Sequence, residues 1–342
     1  MSKLIEHLAS PRLAIFGMVL LGIGAGLSYG NPVSTPMWVL VAPLALLSLS
    51  LALAIATNPR INRRRGLLLF HVGLLAVVML VAIGRLTFFE ARLELVEDNA
   101  FNTDELFDVK SGVWHRTADL AKLNFVQHSY SVEYFPELLR GRTFSNVAVQ
   151  GSDGVSHAQV VGDDRPLVID GYRFYTTFNK GFAPVLTWLP RAGEPVSGAV
   201  HMPSYPLFAH KQNNVWTPPG ADEIKLWLQL ETGLDEKRDW TLDSRRTSGI
   251  LVVNAGDQRV ELKRGESVEL PNGTLRYERL ASWMGYKVFY DPTLHYLFIA
   301  ALCSVVGLFW HFWQKFGVRM SVTEINAQID VASSSQTWRG AA

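Results

Sequence analysis

Four runs of about 20 residues with almost no charge constrain this chain more than any other feature. Leu13 to about Tyr29, Met37 to Ala56, Leu67 to Gly84 and Leu294 to Trp313 are each long enough, at about 1.5 Å per helical residue, to cross a hydrocarbon core of roughly 30 Å. In lipid a backbone must satisfy its own hydrogen bonds, so such runs fold as helices. The chain therefore reads as an integral membrane protein with four spans. Ala25, Gly26 and Ser28 would also suit the end of a cleaved signal sequence, but the run is longer than an ordinary signal core and two more spans follow closely.

Charge placement orients these spans. The net charge of +1 gives no reason to expect nucleic acid. Lys3 and Arg12 precede the first span, Arg60, Arg63, Arg64 and Arg65 separate the second from the third, and Lys315 and Arg319 follow the fourth. The connection from Gly30 to Pro36 carries no charge. By the positive-inside bias both termini and the arginine hinge are cytoplasmic, and everything from Arg85 to Pro292 lies outside. The only cysteine, Cys303, falls inside the fourth span as a small apolar filler. The external segment has no cysteine for a disulfide and must rely on a hydrophobic core, for which its length suffices.

The expected layout is thus three membrane helices within 1–84 (about 13–29, 37–56 and 67–84), an external β-rich domain over 85–292, a fourth helix at 293–316 and a cytoplasmic tail, polar and rich in small residues such as Ser333 to Ser335, over 317–342. The fold class is α+β: four transmembrane helices plus an extracytoplasmic antiparallel domain between helices three and four. Ser10-Pro11 is a good helix start. Gly17, Gly22, Gly24 and Gly26 read equally as helix contacts or as ordinary glycine enrichment in membrane helices. Pro43 should bend the second span slightly. Thr87 to Leu95 keeps a helical spacing and is expected to continue as a helix along the interface.

From about Asp119 the spacing turns to period two, with Tyr130, Val132 and Tyr134 and then Leu226, Leu228 and Leu230 alternating with other residues. Turns are expected at Ser152-Asp153-Gly154, Asn254 to Asp257, and Pro271-Asn272-Gly273. These features predict an antiparallel sandwich or open barrel, with Pro184 to Pro219 as a long loop.

No catalytic signature stands out in the external domain. His115, His128, His157, His201 and His210 are scattered without ligand spacing, and Tyr172, Phe174, Tyr175 and Phe178 read as core and interface. His71 differs because it interrupts the third span, about 8 Å inside the cytoplasmic boundary. A polar group in hydrocarbon costs a few kcal/mol without a partner. Its neighbours Leu68, Leu69, Phe70, Val72, Leu74 and Leu75 supply none from their side chains. Two readings stay open: an axial ligand to haem iron, or a histidine bonded to a hydroxyl or carbonyl of a neighbouring helix. His295 starts the fourth span. His311, near that span's inner end among Trp310, Phe312 and Trp313, reads as part of an interfacial belt and is also the weaker candidate for a second ligand.

The arrangement resembles the ResB-like (CcsB-type) subunit of the system II cytochrome c maturation machinery. The resemblance rests on the order of the spans, on Arg65-Gly66-Leu67-Leu68-Leu69-Phe70-His71-Val72-Gly73-Leu74-Leu75, on Tyr130 to Pro136, on Pro166 to Tyr175 and on Asp291-Pro292. It implies a subunit that works with a CcsA-type (ResC) partner to carry haem b through the membrane and attach it to an apocytochrome c. It also implies that His71 is an axial ligand to the haem iron. The subunit would be non-catalytic or co-catalytic within a cytochrome c haem lyase complex of the plasma (inner) membrane. Two competing readings are a haem-free assembly or sensor protein whose external domain binds a protein partner, and a b-type electron carrier using His71 and His311. The chain has neither a tryptophan-rich haem-handling segment nor a Cys-x-x-Cys-His of its own, and its external segment lacks the cysteine that some relatives carry.

Overall fold

A computed structural model describes residues 2–31, 34–151, 154–231 and 236–317. Among them the chain forms six α-helices and fifteen β-strands. These fall into two compact units. One is helical, covering the described parts of Met1–Phe88, Ser111–His115 and Asp291–Ala342; the other is Phe89–Lys110 with Arg116–Tyr290. The expected turn at Ser152-Asp153, Arg319 and the tail with Ser333 to Ser335 lie outside the described residues.

The helical unit consists of α1 (Ser2–Leu8), α2 (Pro11–Gly30), α3 (Trp38–Thr57), α4 (Pro59–Asn62), α5 (Arg65–Thr87) and α6 (Leu294–Phe312), the last running into a π-helical turn, Trp313–Gly317. α2, α3, α5 and α6 with its extension to Phe316 are long and apolar enough to cross a membrane. With the antiparallel sheets described below, the chain is an α+β, multi-pass membrane protein. Ser10 accepts a hydrogen bond from the Arg12 backbone N–H at 3.2 Å, with Pro11 in the first turn. Asn58 repeats the device before α4, accepting from Arg60 N–H at 3.0 Å ahead of Pro59. Such caps satisfy amide donors that the first helical turn leaves without partners. Of the four glycines in α2, Gly17 and Gly24 face Leu47 and Val39 of α3, whereas Gly22 and Gly26 face open space.

α5 and α6 run antiparallel along a seam of small residues. Gly66 lies against the backbone of His311 and Gly307, Gly73 against Ala300 and Ser304, and Gly307 against Leu69 and Phe70. A side chain at any of the three glycines would collide with the facing backbone, so the seam exists because they are glycine. At its other end Asp291 Oδ1 accepts both the N–H of Thr293 at 2.8 Å and its hydroxyl at 2.7 Å, fixing the start of α6. Asp291→Ala is expected to lower stability by about 1 kcal/mol, the usual worth of a cap, read as a lower melting temperature in detergent; an unchanged melt would show that the turn is held by other means. The last carbonyls of α5 are met by 111–115, where Gly112 N–H donates to Phe88 O at 2.9 Å and Trp114 N–H to Leu86 O at 2.8 Å.

The second unit contains β1 (Phe89–Val96), β2 (Phe107–Ser111), β3 (Phe125–Phe135), β4 (Leu139–Gln150), β5 (Ser156–Gly162), β6 (Leu167–Ile169), β7 (Tyr172–Pro190) and β8 (Val196–Ala199). It continues with β9 (Asn213–Trp216), β10 (Ile224–Leu230), β11 (Trp240–Asp243), β12 (Gly249–Ala255), β13 (Gln258–Leu262), β14 (Ser267–Leu270) and β15 (Gly273–Tyr290). A seven-stranded sheet in the order β2-β1-β15-β7-β6, with β14 also on β15 and β8 on β7, accompanies two four-stranded sheets, β13-β12-β10-β9 and β11-β3-β4-β5. The fold is therefore three sheets around a main apolar core, with a small second cluster of Val96, Ala183, Ala281 and Trp283, where the sequence suggested a sandwich or an open barrel. The hairpin turns at Asn254 to Asp257 and Pro271-Asn272 join β12 to β13 and β14 to β15 as expected.

Three expectations are corrected. Phe89 to Leu95 is strand β1, paired with β15 from Phe89 opposite Tyr290 to Val96 opposite Trp283. Phe89, Ala91, Leu93 and Leu95 are buried, while Glu90, Arg92 and Glu94 point to the other face. That alternation is the period of a strand, and pairing along β15 holds it there. Strands accordingly begin 30 residues before Asp119. Pro184 to Pro219 is not one loop: β7 extends to Pro190, and β8 and β9 follow within the stretch. Pro184 is accommodated because its carbonyl, which proline retains, accepts from Val200 N–H at 3.0 Å.

Among the buried polar side chains, a three-residue network and a lysine stand out. Gln127, Ser145 and Tyr286, all 1% exposed or less, bond one another: Gln127 Nε2 donates to Ser145 Oγ at 3.0 Å, and Tyr286 OH donates to Gln127 Oε1 at 2.5 Å. Burial pushes the Tyr286 phenol well above its ordinary range. Lys180, on β7, is 2% exposed, and its ammonium makes a single long bond of 3.4 Å to Phe178 O and stands 5.7 Å from the Tyr134 ring.

Candidate functional site

His71 lies in the second turn of α5, half-buried, with its Nδ1 at 2.7 Å from the backbone carbonyl of Leu67. A carbonyl only accepts, so Nδ1 carries the proton and the lone pair sits on Nε2. Histidines that ligate metals are commonly oriented in this way, with the second nitrogen donating to a carbonyl. The sequence left open a hydroxyl or carbonyl of a neighbouring helix as the partner; the acceptor is instead a carbonyl of α5 itself. The signal was nonetheless in the spacing: a histidine side chain reaches back to the preceding turn, four residues earlier. The Phe70 ring meets the imidazole edge-on at 5.0 Å between centroids.

The direction of the side chain follows from the α5–α6 seam. At 3.6 residues per turn, His71 lies about 140° around α5 from Gly66 and about 160° from Gly73, away from α6. His311 sits on the opposite side of that seam, its backbone against Gly66. Among the described residues no bond or ring contact joins the two histidines; the His311 ring tilts against Phe312 at 5.7 Å. His295 is exposed near the start of α6. Four exposed arginines surround the start of α5: Arg60 in α4, Arg63 after it, Arg64 at the N-cap of α5 and Arg65 in its first turn. None of them forms an ion pair among the described residues.

Elsewhere, His128 pairs with Asp98 at 3.2 Å, and His201 stacks on Trp283 at 5.4 Å with Glu94 3.6 Å away. Tyr172 and Phe174 are buried in the core, while Phe178 is exposed beneath the Arg140 guanidinium. Among the described residues no group of three histidine, cysteine or acidic side chains converges as a metal ion would require.

A family model described as the ResB-like family matches residues 55–337. The chain belongs to the ResB-like family. This family is associated with cytochrome c biogenesis, and the match takes in α5 with His71, the β-rich unit and α6. It begins near the end of α3, so α1 and α2 lie outside it. No curated protein matches the chain.

The donor chemistry of His71 fits haem. A porphyrin needs from this chain a single nitrogen lone pair among apolar side chains rather than a cluster of ligands, and Nε2 of His71 on a membrane helix is such a donor.

Proposed function

We propose that this chain is the membrane subunit of a haem delivery and cytochrome c haem-ligation complex, with His71 as one axial ligand to haem b travelling as cargo. The reading is carried by the bond from Nδ1 to Leu67 O, which leaves Nε2 as a fixed lone-pair donor on a membrane helix of a ResB-like protein. The arginines before α5 put that end of the helix on the cytoplasmic side, so haem is taken up there and the β-rich unit works outside. The second axial ligand comes from a CcsA-type partner, since His311 engages the opposite side of the α5–α6 seam. The β-rich unit docks that partner or positions the apocytochrome. Haem itself supplies the iron and the vinyl groups; this chain's residues orient it and shield it from water.

The test is the visible spectrum of the full chain purified with its partner. Wild type is expected to carry low-spin haem. His71→Ala should reduce haem content at least tenfold, and added imidazole should restore the spectrum to His71→Gly, because it replaces the missing nitrogen. Full haem absorbance in His71→Ala would leave the competing reading, a haem-free role for this chain within the assembly.

A further inference from the structure

We infer that Arg64 holds a propionate carboxylate of the haem ligated by His71, so that the arginine gate selects an anionic porphyrin and sets which edge enters first. This rests on the axial-ligand reading above and adds a residue and a recognised group to it.

The placement comes from α5 itself. Arg64 is the N-cap of the helix, and its carbonyl already accepts the first helical bond, from Leu68 N–H at 2.8 Å, so its Cα stands on the helix cylinder. Seven residues separate it from His71, which is nearly two full turns: the two lie within about 20° of one face and about 10 Å apart along the axis. Arg65 falls about 120° away from His71 on the same count, and Arg63 lies before the N-cap, off the helix. Between Arg64 and His71, the same face carries Leu67 and Leu68, neither of them polar. Arg64 is exposed and has no carboxylate partner among the described residues, so its guanidinium is available.

The shape of the cargo matches this spacing. A porphyrin ligated by this imidazole would lie with its plane across the iron–nitrogen bond. Its two propionates project from one edge, at a distance from the iron set by the radius of the macrocycle plus a two-carbon arm. An edge turned toward the cytoplasmic end of α5 thus meets Arg64 while the apolar remainder lies over the leucine face. Guanidinium and carboxylate form charge-assisted paired bonds, and near the membrane boundary these are less screened than in bulk water.

The experiment is a haem titration of the full chain with its partner in lipid nanodiscs, comparing ferric haem b with its dimethyl ester, whose propionates carry no charge. Arg64→Gln is expected to weaken haem b binding about tenfold while leaving the position of the Soret band, and hence the axial ligation, unchanged. Arg65→Gln, which removes the same charge one residue away, should change affinity less than twofold. The ester should bind wild type about as weakly as haem b binds Arg64→Gln, with no further loss when the ester and Arg64→Gln are combined. Equal effects of Arg64→Gln and Arg65→Gln would overturn the proposal in favour of a general field of the basic hinge. So would ester binding as tight as that of haem b, or rescue of the whole difference by removing anionic lipid from the disc. A wild-type spectrum that does not depend on His71 would sink the axial-ligand reading, and Arg64 with it; a His71-dependent spectrum indifferent to Arg64 would sink this inference alone.

Discussion

Replacing Gly307 by leucine is expected to pry α5 from α6 and to destabilise the helical unit by about 3 kcal/mol, at the upper end of what overpacking costs. Even a β-carbon at this position would collide with the backbone of Leu69 and Phe70. Backbone has no rotamer with which to yield, so relief requires one helix to move. The displaced stretch of α5 runs straight into His71, and the expected result is therefore double: a lower melting temperature in detergent and weaker haem retention with the partner present. Gly26→Leu is the matched control. It adds the same bulk to a membrane helix where nothing lies within 4 Å of the new carbon, and should shift the melt by no more than about 0.5 kcal/mol. If both variants melt alike, close approach along the seam is not what holds α5 to α6.

Lys180→Met is expected to stabilise the β-rich unit by about 2 kcal/mol at pH 7. Burial, assisted by the Arg140 guanidinium, holds the Lys180 ammonium down at about 8 from its ordinary 10.5, and Asp163 offsets this only in part. The Asp163 carboxylate is already occupied by Arg140, Thr143 and Thr176. A depressed lysine means that the unfolded chain binds the proton more tightly than the folded one. Between about pH 8 and about pH 10 stability therefore rises with pH, and below that window the folded state bears the full penalty, on the order of 3 kcal/mol at about 1.4 kcal/mol per pH unit. Above pH 10 the trend reverses. Tyr130, Tyr134 and Tyr286, all raised by burial, stay protonated in the folded chain while the unfolded chain ionises them. Methionine is one heavy atom shorter than lysine; it removes the charge and forfeits the 3.4 Å bond to Phe178 O and the ammonium's approach to the Tyr134 ring. Thermal melts across pH 7 to 10 should show the wild-type rise flattened in the variant. A variant that melts lower at pH 7, or keeps the slope, would mean that the lysine is compensated in a way the geometry does not reveal.

The membrane helices were legible because their cause is local. Length, absence of charge and the Ser10-Pro11 cap act within one segment, and α2, α3, α5 and α6 each begin and end within three residues of the sequence reading, leaving aside the turn after Phe312. The hairpins at Asn254 to Asp257 and Pro271-Asn272 were legible for the same reason, since the turn residues themselves set the backbone angles. Phe89 to Val96 was misread as a continuation of the preceding apolar helix although its apolar groups alternate at period two, and the partner that makes it a strand, β15, lies nearly 200 positions later. The strands hidden within Pro184 to Pro219 failed for a related reason. Proline weakens a strand in isolation but is tolerated wherever the ladder needs only its carbonyl.

For the candidate site, sequence alone determined which residue to ask about, because an imidazole inside an apolar run is costly whatever surrounds it. It also set the arginines at the near end of that run and the family to which the chain belongs. Only the tertiary structure decided which way His71 faces, since direction is defined by the glycine seam with α6, and that seam requires two helices more than 200 residues apart to meet. The hydrogen bond to Leu67 stands between the two. It forms within a single turn, yet it shows only once the rotamer is known, and the rotamer is chosen by packing.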